Sequence, residues 1–391
     1  MEERDNYTKA HDQFTAVIAN TEYGRQVLEK IENDPRAMKL ESCLINTGRG
    51  IYGYGHGKLA LWYLWAFETL GQSEAEKGLN AFLDSEIYPV LNTAWIIGVE
   101  VDKTIELKGG LKLVPIEKMP ESQAKESYLK IDRLTIGHPI PALKPRCAIV
   151  YECPVQRNFD LSEDMQTIGD SNMRFWESTR LIEDASLIIN AIPGVSCIQY
   201  FSTSYSLPNM PFGFFLGAGG SPNYHDAIGF GSTKLNKKSL DTLNQLLLSF
   251  IDLEEQDKAH FRTSLSRLSQ SKRKHKQKIE DKILDLCIAL EMVLLIDNKR
   301  PYSRNFRERG SSLIGSNDAD RSEIEEDLKQ IYNYRSQVAH TGVLCEGKIE
   351  ELKRVHDNFD KYCSIAETII GKLITNGKPD WTKLVLGTGT T

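Results

Sequence analysis

The chain has 391 residues, of which 40% are hydrophobic and 26% charged, and its formal net charge is −6. That length predicts two or three domains, and that balance excludes a disordered chain. The negative charge excludes a surface that coats nucleic acid nonspecifically. A local basic cleft stays open, because fields are screened beyond about 10 Å at moderate salt.

Cysteines stand at positions 43, 147, 153, 197, 287, 345 and 363, an odd number with no C-x-x-C pair. This usage argues against a disulfide framework and against a zinc site, and it predicts a reducing, cytoplasmic setting. The start, Met1-Glu2-Glu3-Arg4-Asp5, is charged where a signal peptide turns apolar. The longest apolar run, Leu59 to Phe67, is roughly half of the ~20 residues that a membrane span requires.

In chain order, apolar residues at helical spacing (Phe14, Val17, Ile18, Val27, Leu28, Ile31) predict a helix from Tyr7 to Asn33, ended by Asp34-Pro35. A glycine-rich patch spans Gly48 to Gly57, and two further helical segments reach Leu91. Alternating residues on both sides of Gly109-Gly110 predict a hairpin over Ile105 to Leu113 with a two-residue turn. Strand-like runs follow at Tyr128–Leu134, Cys147–Glu152 and Val195–Tyr205, interrupted by a helix from Asn172 to Ile192. The stretch from Ser206 to Ser232, rich in glycine and proline, reads as a long loop or a domain junction.

Beyond Lys234 the pattern is wholly helical. Leu240, Leu243, Leu246, Leu247, Phe250 and Ile251 form one stripe. A long helix runs from Ala259 towards Ile296 with a candidate break at its basic middle, and further helices cover Ser322–Ala339 and Gly347–Ile374. The expected fold class is therefore a mixed α+β N-terminal domain (residues 1–233) followed by an all-α bundle (residues 234–377). A tail (residues 378–391) would follow, with Gly387 to Thr391 frayed.

Three segments carry chemistry. The first is Asp281 to Leu295, an apolar helix containing Glu291, where a carboxylate is costly unless paired. The second is Asn305 to Ile314, with Arg309 inside "ERGSSLI". The third is Ile331 to Gly342, "YRSQVAHTG", in which Arg335 and His340 form R-x-x-x-x-H and Gly342 is placed to stop a helix. Together the "ALE" helix (Ala289, Leu290, Glu291), the "ERGSSLI" segment and the "YRSQVAHTG" ending resemble the HEPN family, specifically its ApeA-like branch, over Lys234 to Ile374.

The resemblance implies a helical bundle that homodimerises and brings two R-x-x-x-x-H motifs to one composite cleft. It further implies a metal-independent endoribonuclease without a cofactor, of a kind that often serves as a toxin or as an antiphage effector. A regulatory protein or phage-derived trigger would act on it, and the N-terminal domain, to which no chemistry is assigned, would be a sensor or regulatory domain. Carried over, His340 matches the catalytic histidine and Arg335 the catalytic arginine. The position after the arginine is often Asn, Asp or His in this family, and here it is Ser336, a departure also familiar in the ApeA-like branch.

These residue types suit the chemistry. RNA supplies its own 2′-hydroxyl nucleophile, histidine transfers protons near neutrality, and arginine presents a planar cationic fork to phosphate oxygens. Residues five apart on an ideal helix point about 140° apart. A joint site therefore requires His340 to leave the helix, or a contribution from a second copy.

Structural readings stand beside these. Arg335 can pair with Glu291 or Asp281 while His340 caps a helix end, and Glu291 and Arg309 read as members of a buried ionic network. The bundle then serves as an inactive dimerisation or RNA-binding module. The densest positive run, Lys272 to Lys278, supplies the RNA-contact candidates Lys272, Arg273, Lys274 and Lys276, or else is a solvated stretch between helices.

Gly53 to Lys58 fails the phosphate-loop pattern, because no glycine stands five positions before Gly57 and Leu59 replaces Ser/Thr. Gly217 to Gly220 meets Pro222 where a third glycine would stand. His56, His138 and His225 lack ligand-spaced partners, so no metal is expected.

Overall fold

The computed structural model describes residues 21–40, 44–46, 51–53, 55–85, 87–120, 125, 145–156, 165–206, 231–273, 278–297, 299–345 and 348–387. The strand expected at Tyr128–Leu134, nearly all of the Ser206–Ser232 segment, and Lys274 and Lys276 lie outside them.

Helices α1 (Glu22–Glu32), α2 (Pro35–Met38), α3 (His56–Leu70) and α4 (Gln72–Asp84) form an N-terminal helical layer. Thr21 caps α1 by accepting from the Gly24 amide, and Asp34 caps α2 ahead of Pro35, so the Asp34-Pro35 stop acts as expected. Val27 and Ile31 of α1 pack with Leu59, Trp62 and Phe82 in a core of their own. A short ribbon of β1 (Leu44–Asn46) and β2 (Ile51–Gly53) lies between α2 and α3 in sequence.

The central sheet is antiparallel. Its strands are β3 (Ile87–Ile97), β5 (Ile105–Glu106), β6 (Leu111–Pro115), β7 (Cys147–Gln156) and β8 (Ile198–Ser206), in the order β5-β6-β7-β3-β8. The helical segment expected to reach Leu91 instead ends at Asp84, and Ile87 onward is β3. Val90, Leu91, Ala94, Trp95, Ile96 and Ile97 are all buried, so the run lacks the alternation that marks a half-exposed strand.

The hairpin between β5 and β6 pairs Ile105 with Leu113 and Glu106 with Lys112. Its loop has three residues, Lys108 to Gly110, where two were expected, and the Leu107 amide bonds to the Leu111 carbonyl. Gly109 sits at φ 73°, and an added Cβ there would lie 2.7 Å from Ile251 Cδ1. The tip thus needs glycine both for its left-handed backbone and for its approach to the bundle. The Lys108 amide donates to Asn244 Oδ1 across the same contact.

Helix α5 (Met165–Ile188) packs against β3 and β7, and the buried Asn92 amide of β3 donates to Ser178 and Thr179 on it. A further pair, β4 (Val99–Glu100) with β9 (Thr233–Lys234), is parallel and leads into the bundle.

The remainder is helical: α6 (Lys237–Ile251), α7 (Glu255–Ser271), α8 (Ile279–Leu294), α9 (Tyr302–Ile314), α10 (Asp318–Thr341), α11 (Ile349–Asn376) and α12 (Trp381–Val385). The helix expected from Ala259 to Ile296 is broken into α7 and α8 at the basic stretch, and α9 occupies the "ERGSSLI" segment. Residues 381–385 of the expected tail form α12, with Trp381 and Leu384 buried.

A helical C-terminal region after a helix-and-sheet N-terminal region matches the expected class at that level. One apolar core runs from Ile96 and Ile149 of the sheet through Ile188 of α5 to Leu246, Leu290 and Ile369 of the bundle. It is continuous across residue 234. Among the described residues no helix is long and apolar enough to cross a membrane.

Candidate active site

Helix α10 carries the Arg335 and His340 pair. Asn317 caps its start by accepting from the Asp320 amide. At its end Gly342 adopts the left-handed conformation (φ 73°) and its amide bonds to the Val338 carbonyl at 2.8 Å, as expected of a C-terminal glycine. Ile324, Leu328, Ile331, Tyr334 and Val338 recur every three or four residues and are buried, which fixes the rotation of α10 on the bundle.

Arg335 is thereby set against α8. Its Nε lies 3.6 Å from Glu291 Oε1, with the side chains 35% and 20% exposed. This is an ion-pair distance but too long for a hydrogen bond, and Nε is buried without a hydrogen-bonding partner. Burial pushes the Glu291 carboxyl above the ordinary glutamate range, and the Arg335 charge offsets part of that rise. Cys287, one turn before Glu291, and Tyr332 sense the same two charges, and burial raises both their pKa values. Cys287 is fully buried, the setting of a structural thiol.

His340 is exposed in the last turn of α10, which stays helical to Thr341. The histidine therefore does not leave the helix, and the two side chains diverge by about 140° within one chain. Ser336 is half-buried beside Arg335. Asp281, the other partner considered for the arginine, sits in the first turn of α8.

Arg309 belongs to a different cluster. It donates to both oxygens of Asp297 at 2.8 and 2.9 Å and to the Leu294 carbonyl at 2.7 Å, and its guanidinium stacks 5.2 Å from the Trp381 ring. Its side chain is 6% exposed. The paired guanidinium holds the Asp297 carboxyl below the usual aspartate range. Arg309 joins the end of α8 to α9 and α12, and its partners leave it no role at an exposed phosphate.

Lys272 corrects the reading of the basic run. It ends α7, is buried, and forms an ion pair with Glu367 of α11 while donating to the Asn190 and Val195 carbonyls at 2.6 and 2.9 Å. Three acceptors take its three donors, so it is not a surface contact for RNA. Arg273 is half-buried just beyond the end of α7.

Sequence reasoning missed Asp297, 12 residues before Arg309, and also Glu367 and Trp381, which lie far from their partners along the chain. The one available signal was cost, since a lone charge in an apolar helix demands a counter-charge. Among the described residues no group of three or more His, Cys, Asp or Glu side chains is arranged to hold a metal ion. No protein-family model, curated protein or solved structure matches the chain.

Proposed function

We propose that the protein is a metal-independent endoribonuclease of HEPN type, in which Arg335 and His340 act together in a homodimer. The observation that carries this reading is the contrast between two arginines. Arg309 has its guanidinium bound by Asp297 and a carbonyl. Arg335 is only loosely paired, a third exposed, and set one and a half turns before an exposed histidine at the end of the same helix.

In the proposed reaction the ribose 2′-oxygen forms a bond to phosphorus as the bond to the 5′-oxygen breaks. One imidazole takes the 2′-hydroxyl proton, and a proton is returned to the leaving oxygen. The products are a 2′,3′-cyclic phosphate and a free 5′-hydroxyl. Arg335 stabilises the charge gathering on the phosphoryl oxygens. Because the two side chains diverge on α10, a second copy supplies the complementary pair.

The second reading, an inactive dimerisation or RNA-binding module, is favoured by the same ion pair, since Glu291 gives Arg335 a structural partner. Expression of wild type and His340→Ala in a bacterial host, with total RNA examined, separates the two. RNA fragments ending in cyclic phosphate that vanish with His340→Ala support the nuclease. Intact RNA from purified wild-type dimer under every activating condition rejects it.

A further inference from the structure

Arg335 and His340 diverge on α10, and the arc of helix between them carries other side chains. At about 100° per residue, Tyr332 lies about 60° from Arg335 and about 80° from His340, inside that arc. Ser336, half-buried, and Ala339, exposed, share the arc, whereas Ile331, Tyr334 and Val338 are buried outside it. Tyr332 and Arg335 are three residues apart, a spacing that sets their Cβ atoms about 5–6 Å from each other. Long helical side chains lean towards the N-terminus, so Arg335 reaches back over the turn that holds Tyr332. The charges of Glu291 and Arg335 both act on the Tyr332 phenol.

The two ends of Tyr332 are held differently. Its ring packs against the fully buried Phe306 of α9, with centroids 5.4 Å apart and planes tilted by 57°. Its hydroxyl makes no hydrogen bond with any described residue, although a packed tyrosine ordinarily gives its hydroxyl a partner. Beside it, the Arg335 Nε is also without a hydrogen-bonding partner. Glu291 is the nearby acceptor, and it reaches neither group at hydrogen-bond length. Two adjacent donors therefore stand without an acceptor, and one anionic oxygen from outside the chain would satisfy both.

We infer that Tyr332 is a substrate contact of the proposed ribonuclease, its hydroxyl donating to a non-bridging oxygen of the phosphate that Arg335 binds. This role rests on the ribonuclease assignment and adds a third group to it. Burial keeps the phenol protonated across the neutral range, so it acts as a neutral donor and leaves the proton transfers to the imidazole. The phosphoryl oxygens gain charge as the 2′-oxygen attacks, so this hydrogen bond strengthens in the transition state. Its loss falls on kcat and not on KM.

The test is steady-state cleavage of a labelled single-stranded RNA by the full chain as wild type, Tyr332→Phe and Tyr334→Phe, read where thermal melting shows all three folded. Tyr332→Phe keeps the ring on Phe306 and removes one oxygen. Its kcat should fall about tenfold to a hundredfold, the worth of a hydrogen bond to a charged group, with KM and melting temperature unchanged. Tyr334→Phe, on the buried face of the same helix, should cut at the wild-type rate. Wild-type kcat in Tyr332→Phe, a loss confined to KM, or an equal fall in Tyr334→Phe would each overturn the role of Tyr332 and leave the ribonuclease standing. RNA left intact by wild type would remove the ribonuclease, and Tyr332 with it.

Discussion

Arg335 of α10 faces Glu291 of α8 at 3.6 Å without a hydrogen bond between them. A salt bridge built only for stability would close to charge-assisted hydrogen-bond length, as Arg309 does with Asp297. On the proposed reading, the open contact would let Arg335 exchange Glu291 for a phosphate. Arg335→Ala and His340→Ala should each lower RNA cleavage by about 10² to 10⁴-fold, the usual range for a positioned proton-transfer or charge-stabilising group. Arg335→Lys should not restore it, because an ammonium cannot present the planar fork. Timed cleavage of a labelled RNA checks all three, and an Arg335→Lys enzyme of wild-type rate would count against the assignment.

The raised pKa of Glu291 has a consequence for stability. The folded state holds this proton to higher pH than the unfolded chain, so its contribution is fully present below the ordinary glutamate range. It is lost as pH rises through the folded value. Glu291→Gln cannot ionise, so its stability relative to wild type should increase from acid towards neutral pH. Urea denaturation across that window measures the trend. A difference between the two proteins that stays constant with pH would show that burial does not dominate at Glu291.

Parts of this arrangement were legible in the sequence and parts were not, for physical reasons. The end of α10 at Gly342 was readable because a left-handed cap is a local demand met by one residue type. So was the interruption between α7 and α8, where consecutive basic residues break the apolar stripe. Strand β3 was not, because from Val90 to Ile97 its residues are buried irrespective of parity, and periodicity cannot separate such a run from a buried helix. Charge partners were least legible: Lys272 looked solvated within a basic run, yet its counter-ion Glu367 lies on a helix far along the chain. Glu291 was singled out from its apolar surroundings and does face Arg335, while Arg309 took Asp297. For the R-x-x-x-x-H motif, the chain supplies positions and burial, and the assignment to chemistry rests on the proposed reading.

Arg309 and Asp297 should behave as a structural pair. Asp297→Asn removes the countercharge of a guanidinium that is 6% exposed, and breaking such a pair costs about 3 kcal/mol or more. The Asp297 carboxyl is held below its usual range by Arg309. Its contribution is therefore present above the unfolded aspartate value and lost as pH falls through the folded one. Wild type should lose stability in acid more steeply than Asp297→Asn. Thermal melting from neutral to acid pH reads this, and parallel curves for the two proteins would remove Asp297 from the account.

Lys272 separates a structural from a nucleic-acid role most directly. Lys272→Met leaves Glu367 buried without its countercharge, which should destabilise the fold by about 3–5 kcal/mol. Replacing both, as Lys272→Met with Glu367→Met, should recover most of that loss, because an apolar pair avoids burying a lone carboxylate. Loss of a phosphate contact would instead lower the salt dependence of RNA binding by about one unit of slope. With the ammonium saturated by Glu367, Asn190 and Val195, the double variant should bind RNA with the wild-type slope. A shallower slope in a folded double variant would return Lys272 to the RNA-binding surface.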